Sequence, residues 1–240
     1  MTTVYESPYM HKTLGSTLRP GGFDLTQKAV AFCELDTTKK VLDVGCGMGA
    51  TIEYLHRVFG INAMGIDPSD SLLSIAQEKN PWATLIRAQG EDLRFDDHSF
   101  DCLFAECTLS LMNDLSTVLH EAYRVLRLGG WFVITDVYAQ NPSEIGNLEE
   151  FGIRSCMRGL HDLSALQTYL ESIGFRVALL EDCSEYLKSL MMQIIFEHGS
   201  MEQFWRKTTE QGDSASCCFF SNAIKRCKPG YFILIAQKGE

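Results

Sequence analysis

The chain is predicted to form an α/β fold with a doubly wound, mostly parallel sheet. Three observations support that prediction. Short β-branched and apolar runs alternate with amphipathic segments of about ten residues along the first 138 positions. The first of these runs ends in glycines at alternate positions, Gly45, Gly47 and Gly49, and the second run ends in an acid, Asp67. Glycines at a strand end allow a tight turn into a helix, which is the connection that parallel strands require.

The elements of the first half follow in a regular order. A helix is predicted at 25–35 with Asp24 as its N-cap, because a short acidic side chain precedes the apolar periodicity. Gly129 and Gly130 turn the chain into the fifth strand. The predicted strands lie at 41–45, 63–67, 83–88, 101–106 and 131–136, with helices at 50–59, 70–79 and 115–126. Strands and helices that alternate in this way form parallel βαβ units.

The pattern changes after Tyr138, where a loop begins and the strict alternation stops. An amphipathic helix and a strand follow, and Gly174 separates them. Pro229 and Gly230 introduce the final strand. The predicted helices of this part lie at 163–173, 185–207 and 219–226, and its strands at 175–180 and 231–236. The first 24 residues carry little periodicity and are predicted to form an arm.

Composition limits the function classes that fit this chain. Its 240 residues are 45% hydrophobic, which is enough for a large core. The net charge of −10 argues against the phosphate backbone of a nucleic acid as a partner. No apolar run approaches the roughly 18 residues of a membrane span, and no secretion signal is present at the start. We therefore expect a soluble, cytoplasmic protein whose oligomeric state stays open.

The nine cysteines do not form a recognisable metal or redox motif. No Cys-x-x-Cys pair occurs, so neither a zinc ribbon nor a thioredoxin-type site is predicted, and no metal is expected. Reduced thiols that serve as small apolar core residues are the default in a reducing compartment.

The glycine turn at 45–49 and the acid that precedes it indicate the kind of ligand. A backbone without side chains can approach a ligand closely, but Asp43 would repel a pyrophosphate at this turn. A ligand that carries an ammonium and a sulfonium group would instead be stabilised by Asp43, and S-adenosylmethionine (SAM) is such a ligand. Because Ala50 also completes a Gly-x-Gly-x-x-Ala pattern, a dinucleotide of the NAD type remains an alternative. Asp67 fits the ribose hydroxyls of either ligand.

Two further segments distinguish these ligands. Residues 88–101 carry the sequence Ala-Gln-Gly-Glu-Asp-Leu-Arg-Phe-Asp-Asp-His-Ser-Phe-Asp, and residues 121–136 carry a helix end, Arg-Val-Leu, Gly-Gly and an apolar strand. With the glycine turn and Asp67, these segments make residues 28–138 resemble the class I SAM-dependent methyltransferases. The resemblance is strongest to the small-molecule branch that includes the ubiquinone- and menaquinone-biosynthesis enzymes.

The resemblance implies a Rossmann-like sheet of seven strands in the order 3-2-1-4-5-7-6, with strand 7 antiparallel and helical insertions after strands 5 and 6. It implies a single methyltransferase domain over 1–240, with a lid-forming arm at 1–24, a SAM-binding core at 25–138 and acceptor-side elements at 139–240. The residues expected to bind SAM are Asp43, Gly45, Cys46, Gly47, Asp67, Pro68, Gln89, Gly90, Glu91 and Glu106. Gln89 stands where the family has an adenine-binding acid, but its amide oxygen can still accept a hydrogen bond.

The catalytic candidates are Glu106, His161 and Cys156, and each has a plainer interpretation. Glu106 ends the fourth strand, where it fits either the methionine ammonium or a substrate proton, or is a solvated acid. His161 fits a base or a surface histidine. In the arm, the aromatic, basic and imidazole side chains fit either a lid over SAM or a frayed terminus; they are Tyr5, Tyr9, His11 and Arg19.

The predicted reaction is an in-line transfer of a methyl group from SAM to a small-molecule acceptor, which the sequence does not identify. Three alternatives remain: a catalytically idle SAM-binding module, an NAD-type oxidoreductase, and a thiol-dependent methyltransferase of arsenite or another metalloid. The last alternative follows from Cys156, which is similar in placement to a cysteine of arsenite methyltransferases. Its partners would come from Cys183, Cys217, Cys218 and Cys227. Against it, helix 50–59 lacks the cysteine that those enzymes carry.

Overall fold

The computed structural model describes residues 4–148, 151, 155–208 and 214–239. Within them, seven strands form one sheet in the order β3-β2-β1-β4-β5-β7-β6. Strand β7 runs antiparallel to both β5 and β6, whereas the other neighbours are parallel. The strands are β1 (Val41–Val44), β2 (Ala63–Asp67), β3 (Leu85–Arg87), β4 (Phe100–Glu106), β5 (Leu126–Ala139), β6 (Phe175–Asp182) and β7 (Pro229–Lys238). The predicted fold class and strand order are confirmed.

Helices cover both faces of this sheet. They are α1 (Pro8–Leu14), α2 (Asp24–Phe32), α3 (Ala50–Phe59), α4 (Asp70–Lys79), α5 (Leu115–Val125), α6 (Leu163–Ser172), α7 (Ser184–His198), α8 (Met201–Thr208) and α9 (Ser214–Cys227). Short 3-10 turns lie at Val4–Glu6, Leu109–Leu111, Pro142–Leu148 and Cys156–Arg158. The helical insertions after β5 and β6 are present, as predicted.

Alternate residues of the buried strands enter two separate cores. Phe104 and Val133 pack on one face with α2, α3 and the helices after β6. Leu103 and Phe132 pack on the opposite face with α5 and α6. This alternation follows from the two-residue period of a strand, and it explains why the central strands are apolar throughout.

The sheet order reverses at β1, which has β2 on one side and β4 on the other. Because these three strands are parallel, their carboxyl ends meet at one edge of the sheet. Open α/β sheets bind ligands at such a reversal point. The glycine turn after β1, Asp67 at the end of β2 and Glu106 at the end of β4 all lie there.

The N-terminal arm is more regular than the sequence indicated. Helix α1 begins after Ser7, whose hydroxyl accepts a hydrogen bond from the Tyr9 amide, with Pro8 at the first helical position. Val4, Tyr5 and Met10 are buried, so the arm packs on the core. Of the two interpretations of the arm, the frayed terminus is therefore wrong, because a short capped helix needs no long periodic pattern. Asp24 is the first residue of α2 and not its cap.

The apolar stretch after β6 forms two helices instead of the single helix predicted at 185–207. Helix α7 ends at His198, and Gly199 follows with a φ of 85°. Glycine adopts this left-handed angle without a steric penalty, so the chain changes direction there. The Ser200 hydroxyl then accepts from the Gln203 amide at the start of α8. Other element ends differ from the predictions by up to five residues. Gly129 and Gly130, predicted to turn the chain into the fifth strand, lie within β5, because that strand already begins at Leu126.

A search of the described residues finds no helix whose length and apolarity would allow it to cross a membrane.

Candidate active site

A cavity of about 370 Å³ lies over the carboxyl ends of β1, β2 and β4. Segments of the arm close one side of it through Tyr5 and Arg19. Every residue predicted to bind SAM lines this cavity, namely Asp43, Gly45, Cys46, Gly47, Asp67, Pro68, Gln89, Gly90, Glu91 and Glu106. The structure thus brings together residues that the sequence separates by more than 60 positions. We call this space the donor cavity.

The glycine turn owes its shape to left-handed backbone angles. Gly45, Gly47 and Gly49 have φ values of 76°, 51° and 74°. The amides of Gly45 and Cys46 donate to the Ile66 carbonyl at 2.8 and 2.9 Å, which ties the turn to β2. A side chain at Gly45 would meet the Thr108 hydroxyl at 2.0 Å, whereas one at Gly47 would meet no atom within 4 Å. Gly45 therefore serves packing, and Gly47 faces the open cavity.

Asp67 is held by backbone amides at the end of β2. Its carboxylate accepts from the Gly47 amide at 2.9 Å and from the Ser69 amide at 2.8 Å. Burial raises its pKa, although these two hydrogen bonds oppose that shift. Each carboxylate oxygen has a further lone pair, so the group can still accept from two hydroxyls.

Asp43 is buried beneath the turn, with 3% of its surface exposed. Burial and the nearby negative charge of Glu106 raise the pKa of Asp43 to about 8, while Arg19 opposes the shift. No hydrogen bond to its carboxyl group is found within the described ranges. An added positive charge would stabilise the ionised form of this carboxyl group. A sulfonium or ammonium ligand supplies such a charge, whereas a pyrophosphate would add negative charge.

Glu106 belongs to a buried network and is not a solvated acid. Its carboxylate pairs with the Arg19 guanidinium at 3.0 Å, and both side chains are less than 10% exposed. The hydroxyls of Thr26 and Thr51 each donate to Glu106 at 2.7 Å, and each accepts a hydrogen bond from Arg19. These contacts occupy Glu106, so it orients the arm and the cavity wall. They also show that Arg19 is not part of a frayed terminus.

The segment after β3 forms the far wall of the donor cavity. Gln89 is exposed at the rim, whereas Gly90 is buried. A side chain at Gly90 would meet the Met112 methyl group at 2.9 Å. The Glu91 carboxylate accepts from the Asn113 amide at 2.9 Å, which fixes the loop after β4. The side chain of Gln89 takes no part in these contacts, so this polar group is available to a ligand.

A second, smaller cavity of about 40 Å³ adjoins the first. Tyr5, Leu18 and Cys107 line both spaces. We call the smaller space the apolar chamber. Its other lining residues are Met10, Leu14, Pro20, Val137, Cys156, Met157, Leu187, Leu190, Met191, Ile194, Met201, Phe204 and Trp205.

The junction of the two cavities contains a tyrosine and two thiols. The Tyr5 hydroxyl accepts from the Cys156 amide at 3.1 Å, and burial raises the pKa of Tyr5 well above its usual range. A hydrogen bond with Cys156, together with burial, raises the pKa of Cys107. Cys107, which directly follows β4 with a φ of 58°, is not among the predicted site residues because no motif marks it. Its neighbour Cys156 was a catalytic candidate.

His161 is buried, with 6% of its surface exposed, so the interpretation as a surface histidine is wrong. Its Nε2 atom lies 3.4 Å from the Asp136 carboxylate, which also accepts from the amide and hydroxyl of Ser110. His161 lines neither the donor cavity nor the apolar chamber. This position suits a role in the packing of β5 and not one as the general base.

The other cysteines do not join Cys156. Cys183 precedes α7, Cys218 is exposed, and neither Cys183 nor Cys227 lines the apolar chamber. The side chain of Cys217 lies outside the described part. Among the described side chains, no cluster of three or more His, Cys, Asp or Glu residues is arranged for a metal. The thiol partner of Cys156 in this structure is Cys107.

This chain is similar to known proteins in both sequence and fold. A family profile described as a methyltransferase domain matches residues 42–134. The chain is 29% identical to phosphoethanolamine N-methyltransferase 1 of Zea mays over 179 residues, which is 72% of this chain and 35% of that protein. Phosphoethanolamine N-methyltransferase 2 of Haemonchus contortus, solved with phosphomonomethylethanolamine and S-adenosylhomocysteine, superposes with a TM-score of 0.74 at 18% identity. That match covers 97% of this chain and 56% of the other.

The matched residues 42–134 include the glycine turn, Asp43 and Asp67. The strand order agrees with that of the superposed methyltransferase structure. Residues 42–134 match a methyltransferase domain, and the relatives and the fold support a class I SAM-dependent methyltransferase. The same matches, which include a structure solved with SAM, support SAM as the cofactor. Affiliation with the ubiquinone and menaquinone branch stays a prediction.

Two facts limit what this methyltransferase shares with its relatives. The chain spans less than half the length of the first curated relatives it matches, with 35%, 38% and 43% covered. It also superposes on the [4+2]-cyclase SpnF with a TM-score of 0.75 at 21% identity, over 98% of this chain and 93% of the other. A likeness at this level shows the fold, and the reaction has to be argued from the site.

Proposed function

We propose that this methyltransferase transfers the methyl group of SAM to a small-molecule acceptor by in-line displacement. The observation that supports the proposal is that two cavities lie side by side and share Tyr5, Leu18 and Cys107 in their linings. The donor cavity is lined by three buried acids, Asp43, Asp67 and Glu106, and the chamber beside it is apolar. An acceptor in the chamber would therefore lie beside the donor.

The residues of the donor cavity would divide the binding of SAM among them. Asp67 would accept hydrogen bonds from both ribose hydroxyls, and Gln89 would accept one from the adenine amino group. Asp43 would stabilise the positively charged methionine portion from beneath the turn. Gly47 would let the backbone approach the ligand, since its α-carbon faces open space.

Methyl transfer from SAM requires the protein to position the donor and the acceptor more than to supply an acid or a base. The group that leaves in this displacement is a neutral thioether, so it needs no proton from a side chain. Orientation of donor and acceptor in a near-attack arrangement can supply about 7–11 kcal/mol of the barrier. The packed arm, joined to the core through Arg19 and Glu106, would exclude water from that arrangement.

The test of cofactor binding is isothermal titration calorimetry with SAM, for which we expect a 1:1 complex. Asp67→Ala should weaken SAM binding by about 1.5–3 kcal/mol, because charge-assisted hydrogen bonds to the ribose are lost. Asp70→Ala is the matched control, since Asp70 is exposed on α4 and pairs with Arg87. Unchanged SAM affinity in Asp67→Ala would contradict the ribose assignment.

The rival functions give different results in two further measurements. An oxidoreductase of the NAD type would be protected against heat by NAD and not by SAM. An idle SAM-binding module would bind SAM but would form no S-adenosylhomocysteine with any acceptor. The proposed function requires protection by SAM together with acceptor-dependent formation of S-adenosylhomocysteine.

A further inference from the structure

The apolar chamber contains no side chain that would hold a charged acceptor. Its described lining has no Lys, Arg, His, Asp or Glu, and Arg19 at its border is paired with Glu106. A phosphate group placed there would lose its hydration without an opposite charge to replace it. The chamber therefore differs from what an acceptor such as phosphoethanolamine, named for several relatives, would require.

The size and the atoms of the chamber indicate a small, soft acceptor. Its volume of about 40 Å³ leaves room for roughly three water-sized groups. Four methionines and two cysteines contribute to the lining, so polarisable sulfur faces the ligand on several sides; they are Met10, Met157, Met191, Met201, Cys107 and Cys156. Methionine side chains also adapt easily to a ligand of different shape.

The chamber offers no base to an acceptor. Tyr5 and Cys107 keep their protons, because burial raises the pKa of both well above neutrality. The acceptor must therefore reach its reactive protonation state without a side chain of the chamber removing its proton. An alcohol does not meet this condition, and an alkylamine is protonated and charged at neutral pH, as lysine is. A thiol whose pKa is close to that of cysteine is ionised to a few per cent at pH 7, and a thiolate is intrinsically very nucleophilic.

We propose that the acceptor is a small hydrophobic thiol that binds in the apolar chamber. This inference rests on the proposed function and names its substrate class. The thiol gives up its proton to water before it enters. The thiolate sulfur then attacks the methyl carbon of SAM, the new S–C bond forms as the old C–S⁺ bond breaks, and the released electron pair stays on the departing sulfur. The products, a methyl thioether and S-adenosylhomocysteine, no longer contain the reacting pair of opposite charges.

The low polarity of the chamber favours this pairing of charges. Opposite charges attract more strongly where water is excluded, so a thiolate beside a sulfonium is stabilised as an ion pair. A neutral amine would leave a new positive charge on the product, and this charge would remain in an apolar space.

The experiment uses the full chain with SAM and a matched set of acceptors: ethanethiol, ethanol and ethylamine, together with phosphoethanolamine. Mass spectrometry measures S-adenosylhomocysteine and each methylated product, while calorimetry measures SAM binding. We expect methylated thiols only. A complex that binds SAM but methylates no thiol, or methylates the amine, the alcohol or phosphoethanolamine instead, overturns the inference. Failure to bind SAM contradicts the proposed function itself, so the two failures are distinguishable.

A pair of adjacent methionines on α7 tests the location. Met191 lines the chamber and is half-buried, whereas Met192 is 63% exposed. Met191→Trp should fill the chamber and lower kcat/KM for ethanethiol about tenfold or more, with SAM affinity unchanged. Met192→Trp should leave both quantities unchanged. Equal thiol methylation in the two variants would show that the acceptor binds elsewhere, and thermal unfolding of each variant shows whether the fold is retained.

Discussion

The two halves of this site are built from different parts of the chain. The donor cavity takes its functional groups from the ends of neighbouring parallel strands, and the Gly47–Asp67 contact joins residues only 20 positions apart. The apolar chamber joins the arm to the helices around β6, with Tyr5 and Cys156 separated by 151 positions. The donor cavity is thus formed mainly by the ends of adjacent parallel strands, whereas the apolar chamber depends on how distant segments pack.

The largest effect is expected where the two halves meet, at the buried Arg19–Glu106 pair. Arg19→Met would leave the Glu106 carboxylate buried without a counter-charge, and such a loss costs about 3–5 kcal/mol. We expect the free energy of unfolding, measured by urea denaturation, to fall by that amount. Arg19→Met combined with Glu106→Gln should recover part of the loss, because the unpaired charge is then removed.

The matched control is Arg94→Met, since Arg94 pairs with Asp92 on the surface with 82% and 63% of the two side chains exposed. That variant should unfold like the native protein, because surface ion pairs contribute little. Equal stability of Arg19→Met and the native chain would show that the arm is not joined to the donor cavity in solution.

The second test lies entirely within the donor half and compares two glycines of one turn. Gly45→Ala places a β-carbon 2.0 Å from the Thr108 hydroxyl at a left-handed φ, so the unfolding free energy should fall by about 3 kcal/mol. Gly47→Ala meets no neighbouring atom and should cost only about 1 kcal/mol of stability. Its β-carbon instead enters the donor cavity, so SAM affinity should fall. Thermal unfolding and calorimetry measure the two effects, and equal destabilisation by both substitutions would contradict this division of roles.

The contrast between the donor cavity and the apolar chamber also explains which parts of the fold and the site could be predicted from the sequence. The bounds predicted for β2 and α4 are those of the structure, because an apolar run, a terminal acid and a capping serine lie next to one another in the chain. Asp43, Asp67 and Gln89 were predicted to share one site, and the parallel strand order does place them around one cavity. Ends of adjacent parallel strands converge whatever the surrounding helices do.

The errors concern groups whose surroundings come from distant segments. His161 is buried beside Asp136, which β5 supplies, and Glu106 is paired with Arg19, which the arm supplies. Cys107 carries no local motif, and its pairing with Cys156 depends on the loop after β5 returning to the end of β4. Periodicity and capping patterns describe neighbours in the chain, so they contain no information on such contacts.

A smaller effect in the donor half concerns the protonation of Asp43. Its usual pKa of 3.8 in an unfolded chain is raised to about 8 in the fold, so the stability it contributes is complete below pH 4 and is lost as the pH rises towards 8. SAM, as a cation, should bind the ionised form. We therefore expect SAM affinity to increase with pH up to about 8, by at most about 1.4 kcal/mol per pH unit, and to level off above it.

Calorimetry at several pH values, in buffers of different ionisation enthalpy, measures both the affinity and the proton released on binding. Asp43→Asn should remove the slope, since the amide does not titrate. If the SAM affinity of the native protein is independent of pH between 5 and 8, Asp43 does not interact with the bound cation.

The smallest expected effect is at Gln89, on the exposed rim of the donor cavity. Gln89→Leu removes one hydrogen bond to adenine in a partly hydrated place, so SAM should bind about 0.5–1.5 kcal/mol more weakly, with the unfolding free energy unchanged. Gln89→Glu is the informative companion, because a carboxylate accepts from the same amino group and should restore or exceed the native affinity. If neither variant changes the dissociation constant of SAM, adenine recognition belongs to the backbone around Gly90. SAM recognition in the donor cavity would then depend on the side chains of Asp43 and Asp67 and otherwise on the backbone. The contrast with the apolar chamber, which is lined by side chains throughout, would be greater than the structure alone indicates.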